Sequence, residues 1–141
     1  MEVANTIKRW PSRPCDRGLV ATWEDVDDLV KGLPDARATT AHEGSPSWSA
    51  GRHQFARLRW DDDGRELLQS WSGDMSLGDA LQGRREVFPV VHTFRYRVST
   101  WAVLERLSRR EVAELLLDSY AIRGGVKRGE AVDEAAYFAR V

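Results

Sequence analysis

The sequence predicts one α+β domain, a two-layer sandwich in which an antiparallel β-sheet is covered by helices. Two observations carry this. Apolar residues recur at helical spacing at Val26, Leu29, Val30 and Leu33, and again at Val112, Leu115, Leu116 and Ser119. Between these stripes, short β-prone stretches come in groups separated by Gly and Asp turns. Strands grouped in this way join as hairpins, whereas a parallel sheet needs a long crossover between each pair. The chain of 141 residues, 42% hydrophobic and 30% charged, suffices for one core.

Residues 1–21 are rich in Pro, Arg and small polar residues and read as an N-terminal extension, anchored by Trp10, Leu19, Val20 and Trp23. Thr22 opens the first helix with Asp25 as its reciprocal cap, and Pro34 stops it. Residues 36–41 read as a strand, and residues 47–50 and 52–60 as a hairpin around Gly51. Asp61-Asp62-Asp63-Gly64 is a turn, and residues 65–71 are the returning strand. Ser76 then starts a short helix with Asp79 as reciprocal cap; Leu77, Ala80 and Leu81 are its stripe and Gly83 its end. Residues 87–97 and 100–107 read as two more strands. Ser108-Arg109-Arg110-Glu111 is a capping box for the second long helix, closed by Gly124-Gly125. Residues 130–140 form a last amphipathic piece. The order condenses to α-β-β-β-α-β-β-α, with residues 22–125 as the domain and 126–141 as a helical extension. The expected core is Val26, Leu29, Val30, Leu33, Phe55 or Leu58, Trp101, Val103, Val112, Leu115 and Leu116. Most of the strand tryptophans, Trp48, Trp60, Trp71 and Trp101, are expected in it too.

Net charge is −1, so bulk electrostatics do not mark a nucleic-acid binder. The distribution is uneven: residues 84–110 carry arginines at 84, 85, 95, 97, 106, 109 and 110 against Glu86 and Glu105. No run is long and apolar enough for a membrane span, and the N-terminus shows no hydrophobic segment of a secretory signal. Cys15 is alone. A cytoplasmic protein is expected.

Catalytic patterns are missing. His42-Glu43, His53 and His92 match no compact ligand spacing, so no metal or cofactor is expected. Ser45 and Ser47 lack a nucleophile elbow, and Cys15 lacks a partner base. The Asp61–Asp63 run lacks the distal glutamate of a calcium loop. The chain reads as a non-enzymatic binding module.

Strand alternation supplies the binding candidates. It places Arg57 and Arg59 on one face with Phe55, and Arg95 and Arg97 on one face with Thr93. Guanidinium groups at such spacing grip phosphates and stack on bases. DNA or RNA is therefore the expected partner, through Arg57, Arg59, Arg95 and Arg97. The plain alternative is a solvated face whose arginines pair with Glu66, Glu105 or the acidic first helix. A protein-interaction or chaperone-like module is the second functional reading.

Pro46-Ser47-Trp48, Gly51 and Phe55-Ala56-Arg57-Leu58 resemble the signature of the MmcQ/YjbR family of small bacterial proteins. Val30-Lys31-Gly32-Leu33-Pro34 is similar to that family's helix end. Arg97 with Ser99-Thr100-Trp101-Ala102-Val103-Leu104 is similar to its tryptophan-led strand, and Glu111 to Tyr120 to its final helix. The resemblance spans roughly residues 23–125. It implies a two-layer α/β domain like the secretion-chaperone, frataxin-like and double-wing architectures. It brings no established enzymatic activity and a DNA-binding label that rests on fold analogy. The chain departs from the pattern in both extensions and at Thr100, where many members carry histidine.

Overall fold

The computed structural model describes residues 20–41, 43–74, 83–95 and 97–141. Helix α1 (Trp23–Leu29) begins where Thr22 is extended, and the Thr22 N–H donates to the Asp25 carboxylate at 2.8 Å. It tightens into a 3-10 turn, Val30–Gly32, before Pro34. Six strands follow: β1 (Ala36–Thr40), β2 (Pro46–Ala50), β3 (His53–Trp60), β4 (Glu66–Ser72), β5 (Val90–Phe94) and β6 (Arg97–Val103). All neighbours are antiparallel, in the order β1-β2-β3-β4-β6-β5. A 3-10 turn, Leu104–Arg106, leads to α2 (Arg109–Gly124), then α3 (Val126–Glu130) and α4 (Glu134–Ala139).

The α+β class and the antiparallel sheet are as the sequence predicts. Besides a later start of β5 at Val90 and two helices, α3 and α4, in place of one piece at 130–140, three details differ. The first strand group holds four strands, one more than the condensed order counts. The break between the last two strands falls at residues 95–96, because Arg95 adopts φ +55° and Phe94 pairs with Arg97. A two-residue hairpin needs such a conformation at its first central position. Finally, β6 ends at Val103, where the chain winds into the 3-10 turn and turns Leu104 and Leu107 into the core. The short helix expected from Ser76 falls on residues 75–82, outside the described residues.

Gly51 turns β2 into β3 at φ +66°, and a Cβ there would meet the Arg128 guanidinium at 2.8 Å. Two pairs beyond the turn the strands slip. Trp48 pairs with Ala56 and Ser49 with Gln54, so Phe55 is a bulge. The bulge turns Phe55 into the helix side, edge-on to Tyr120 at 5.3 Å.

The core lies between the sheet and α2. Val26, Leu29, Val30, Leu33, Phe55, Leu58, Val103, Val112, Leu115 and Leu116 are buried as expected. Trp101 is not; it is half-buried on the sheet's other face. None of the other three strand tryptophans is buried either, and Trp60 is 52% exposed. The sheet has a second, polar face, and alternation sends part of the aromatic set there. Residues 126–141 join the same core: Tyr137 is fully buried, and its hydroxyl donates to the Ala113 carbonyl at 2.6 Å.

The acidic first helix is held by the helical layer itself. Arg109 donates to Asp25 at 2.8 Å, to Asp28, and to the Arg140 carbonyl at 2.7 Å. That bond from Arg109 is the main reason the Asp28 carboxyl sits below the ordinary aspartate value.

Candidate functional site

Antiparallel register decides which side chains share the face turned away from the helices. Residues directly opposite one another lie on the same side. One row crosses the sheet through Ser47, Arg57, Gln69, Trp101 and Val90. The next row toward the hairpin end is Trp71, Ser99 and His92. Arg59 and Arg97 belong to the same face by alternation along β3 and β6. Among the described residues, α2 lies on β2, β3 and β4 from the other side and meets this face through Arg123, over Trp71.

The centre of the face is a hydrogen-bonded aromatic cluster. The Arg59 guanidinium lies 4.5 Å over the Trp101 ring, a cation–π contact. Its Nε donates to Gln69 Oε1 at 2.9 Å, and Gln69 Nε2 donates to Ser99 Oγ at 3.3 Å. These bonds hold the guanidinium over the indole. Toward β1, Thr39, Ser47 and Ser49 share hydroxyl bonds at 2.7 and 3.0 Å.

Arg57 and Arg59 converge on one carboxylate, Glu43, in the turn before β2. Arg59 Nη1 donates to Glu43 Oε2 at 2.6 Å and Arg57 Nη2 donates to Oε1. The Glu43 side chain keeps 51% exposure, while those of Arg57 and Arg59 keep 16% and 21%. A bond from its own backbone N–H is the first cause holding the Glu43 carboxyl below the ordinary glutamate value, opposed by desolvation and reinforced by both guanidinium charges. Arg57 Nε is buried with no hydrogen-bond partner among the described residues. The expected partners for these arginines are therefore replaced. Glu66 instead accepts from the Trp23 N–H at 3.0 Å, and Glu105 lies 3.9 Å from Arg65.

At the hairpin end the Arg123 guanidinium lies 4.4 Å over the Trp71 ring, and its Nε donates to the Gln54 carbonyl at 2.8 Å. Burial first, then the nearby charge of Arg97, lowers its pKa. The β3–β4 ladder ends at the Arg57–Gln69 pair. Beyond it the Ser119 hydroxyl accepts from the Trp71 N–H at 3.0 Å and donates to the Phe55 carbonyl at 2.6 Å.

The four arginines expected to form a strip thus separate. Arg57 and Arg59 stand together, neutralised in part by Glu43. Arg97 shares their face but stands at the far end, and Thr93 is not beside it on that face, because Thr93 pairs with Val98. Arg95 is in the hairpin turn, so it is no strand partner of Arg97. Phe55 leaves the face through the bulge. Sequence reasoning missed Gln69, Trp101, Trp71 and Arg123 as members of the site. Alternation along β4 and β6 could have grouped the first three; nothing local marks Arg123.

Catalytic groupings are sparse. Among the described residues, no cluster of three or more His, Cys, Asp or Glu side chains could hold a metal ion. His42 and Cys15 lie outside the described residues. No described helix is long and apolar enough to cross a membrane.

No family model matches the sequence, and no curated protein matches it. Among solved structures, the chain is similar to Deinococcus radiodurans protein DR2400, which carries a DUF419 domain. The two superpose with a TM-score of 0.56 at 17% identity, over 72% of this chain and 77% of that one. At that identity the likeness establishes a related fold.

Proposed function

We propose that the chain is a binding module of the DUF419, or MmcQ/YjbR-type, kind, and that it takes single-stranded nucleic acid on the sheet face turned away from the described helices. The DR2400 likeness and the Pro46 to Leu58 signature support the family reading; neither supplies a ligand. The observation that carries the ligand class is the Arg59–Trp101 stack at the centre of the face. A guanidinium plane held on an indole extends to a third planar group, and unpaired bases offer one. Half-buried Gln69 and Ser99 supply polar groups beside it, while the Ser47 and Ser49 hydroxyls are buried and bonded to Thr39. A duplex hides its base faces and lacks this fit.

Glu43 sets the strength. With one carboxylate across two guanidinium groups, the central pair carries about one net charge, so binding is weak and only shallowly salt-dependent.

Fluorescence anisotropy with a labelled single strand and the matching duplex, across a salt series, tests this. The single strand is expected to bind more tightly. Trp101→Ala should weaken it roughly tenfold, since a stacked base contributes about 1–3 kcal/mol. Glu43→Gln should tighten binding and steepen the log-log salt slope by about 0.7 per phosphate contact released. Equal binding of Trp101→Ala and wild type, or no binding at low salt, rejects the reading.

A further inference from the structure

Arg97 and Arg123 stand in a different electrostatic setting from the central pair. Arg97 is exposed, and among the described residues its side chain makes no ion pair or hydrogen bond. Arg123 uses Nε on the Gln54 carbonyl and rests its plane on Trp71, and its terminal amino groups have no partner among the described residues. Trp71 pairs with Ser99, two residues from Arg97 on β6, so Arg97 and Trp71 are diagonal cross-strand neighbours on one face. Arg123 thus lies over the indole and Arg97 is its diagonal neighbour, and among the described residues no carboxylate is bonded to either guanidinium. Like charges held together in this way are an arrangement that an anion relieves.

We propose that Arg97 and Arg123, beside Trp71, form a phosphate-binding site. The anchored Arg123 presents two terminal amino groups in fixed geometry, and exposed Arg97 closes over the anion from the neighbouring strand. The site lies four residues along β6 from Trp101, about 13 Å away at strand rise. As the second anchor of a bound single strand it rests on the proposed function; as a site for a free phosphate compound it stands alone.

The test follows Arg Nε–H and Trp indole resonances by NMR during titration with inorganic pyrophosphate, and separately with an oligothymidylate of about eight nucleotides. The expected result is a saturable shift of the Arg123 and Trp71 signals with both probes. Arg97→Gln should weaken it roughly tenfold, and Arg97→Lys should restore part of it. Because Arg123 holds the Gln54 backbone, Arg97 is the informative position. Shifts with pyrophosphate alone support the site and reject the nucleic-acid reading. Oligonucleotide binding that leaves Arg123 and Trp71 unmoved overturns the site and keeps that reading. No saturable shift with either probe, or shifts indifferent to Arg97→Gln, overturns the site outright.

Discussion

At the scale of the residue, single polar groups hold this sheet together where its ladder fails. The Ser119 hydroxyl joins the Trp71 N–H to the Phe55 carbonyl across the gap beyond the end of the β3–β4 ladder. Ser119 is fully buried, so Ser119→Ala leaves two backbone groups without a partner. The expected loss is about 1–3 kcal/mol by chemical denaturation, with loosening at the Trp71 end of β4. One turn edge away, Asp118 is an exposed residue whose carboxyl is turned in to accept from Ser72 at 3.1 Å. Desolvation there pushes its pKa up. A carboxyl whose folded pKa is raised leaves stability intact below the unfolded value, about 3.9, and subtracts from it as pH rises through the folded value. Asp118→Asn keeps an acceptor for Ser72 and removes the charge. The variant should therefore melt higher than wild type at neutral pH, with the difference closing toward acid. A lower melting point at neutral pH would contradict this.

At the scale of the element, the helix starts were legible and the strand faces only in part. Ser108 accepts from the Glu111 N–H at 3.2 Å, and Glu111 accepts from the Ser108 N–H at 2.8 Å, as the S-R-R-E pattern predicts. Ser108→Ala is expected to lower stability by about 0.5–2 kcal/mol in a denaturant titration. Capping is a local matter of a few adjacent residues, so the sequence displays it. Alternation along β3 is also local, and it correctly joins Arg57 to Arg59. It fails at Phe55, because a bulge shifts one residue out of period and depends on what packs beneath it, here Tyr120. It fails again at Arg95, where a two-residue turn interrupts what reads as one long strand. Glu43 lies fourteen residues before Arg57 in sequence, and Arg123 lies far beyond Trp71. Such pairings follow from tertiary packing and leave no local period to read.

At the scale of the whole molecule, the two faces of one sheet divide the work. One buries a shared core with α1, α2 and the C-terminal Tyr137; the other, turned away from the described helices, gathers Arg57, Arg59, Gln69, Trp71, Arg97 and Trp101. The proposed binding by a near-neutral chain with such a face rests on local stacking and a few cations, not on a long-range field. Ultraviolet cross-linking of a bound single strand, followed by mass spectrometry of the peptides, distinguishes the faces directly. The account predicts adducts on β4 and β6, at the peptides carrying Trp71 and Trp101, which fade as salt rises. Adducts confined to the helical layer, or no adducts above a non-irradiated control, would contradict it.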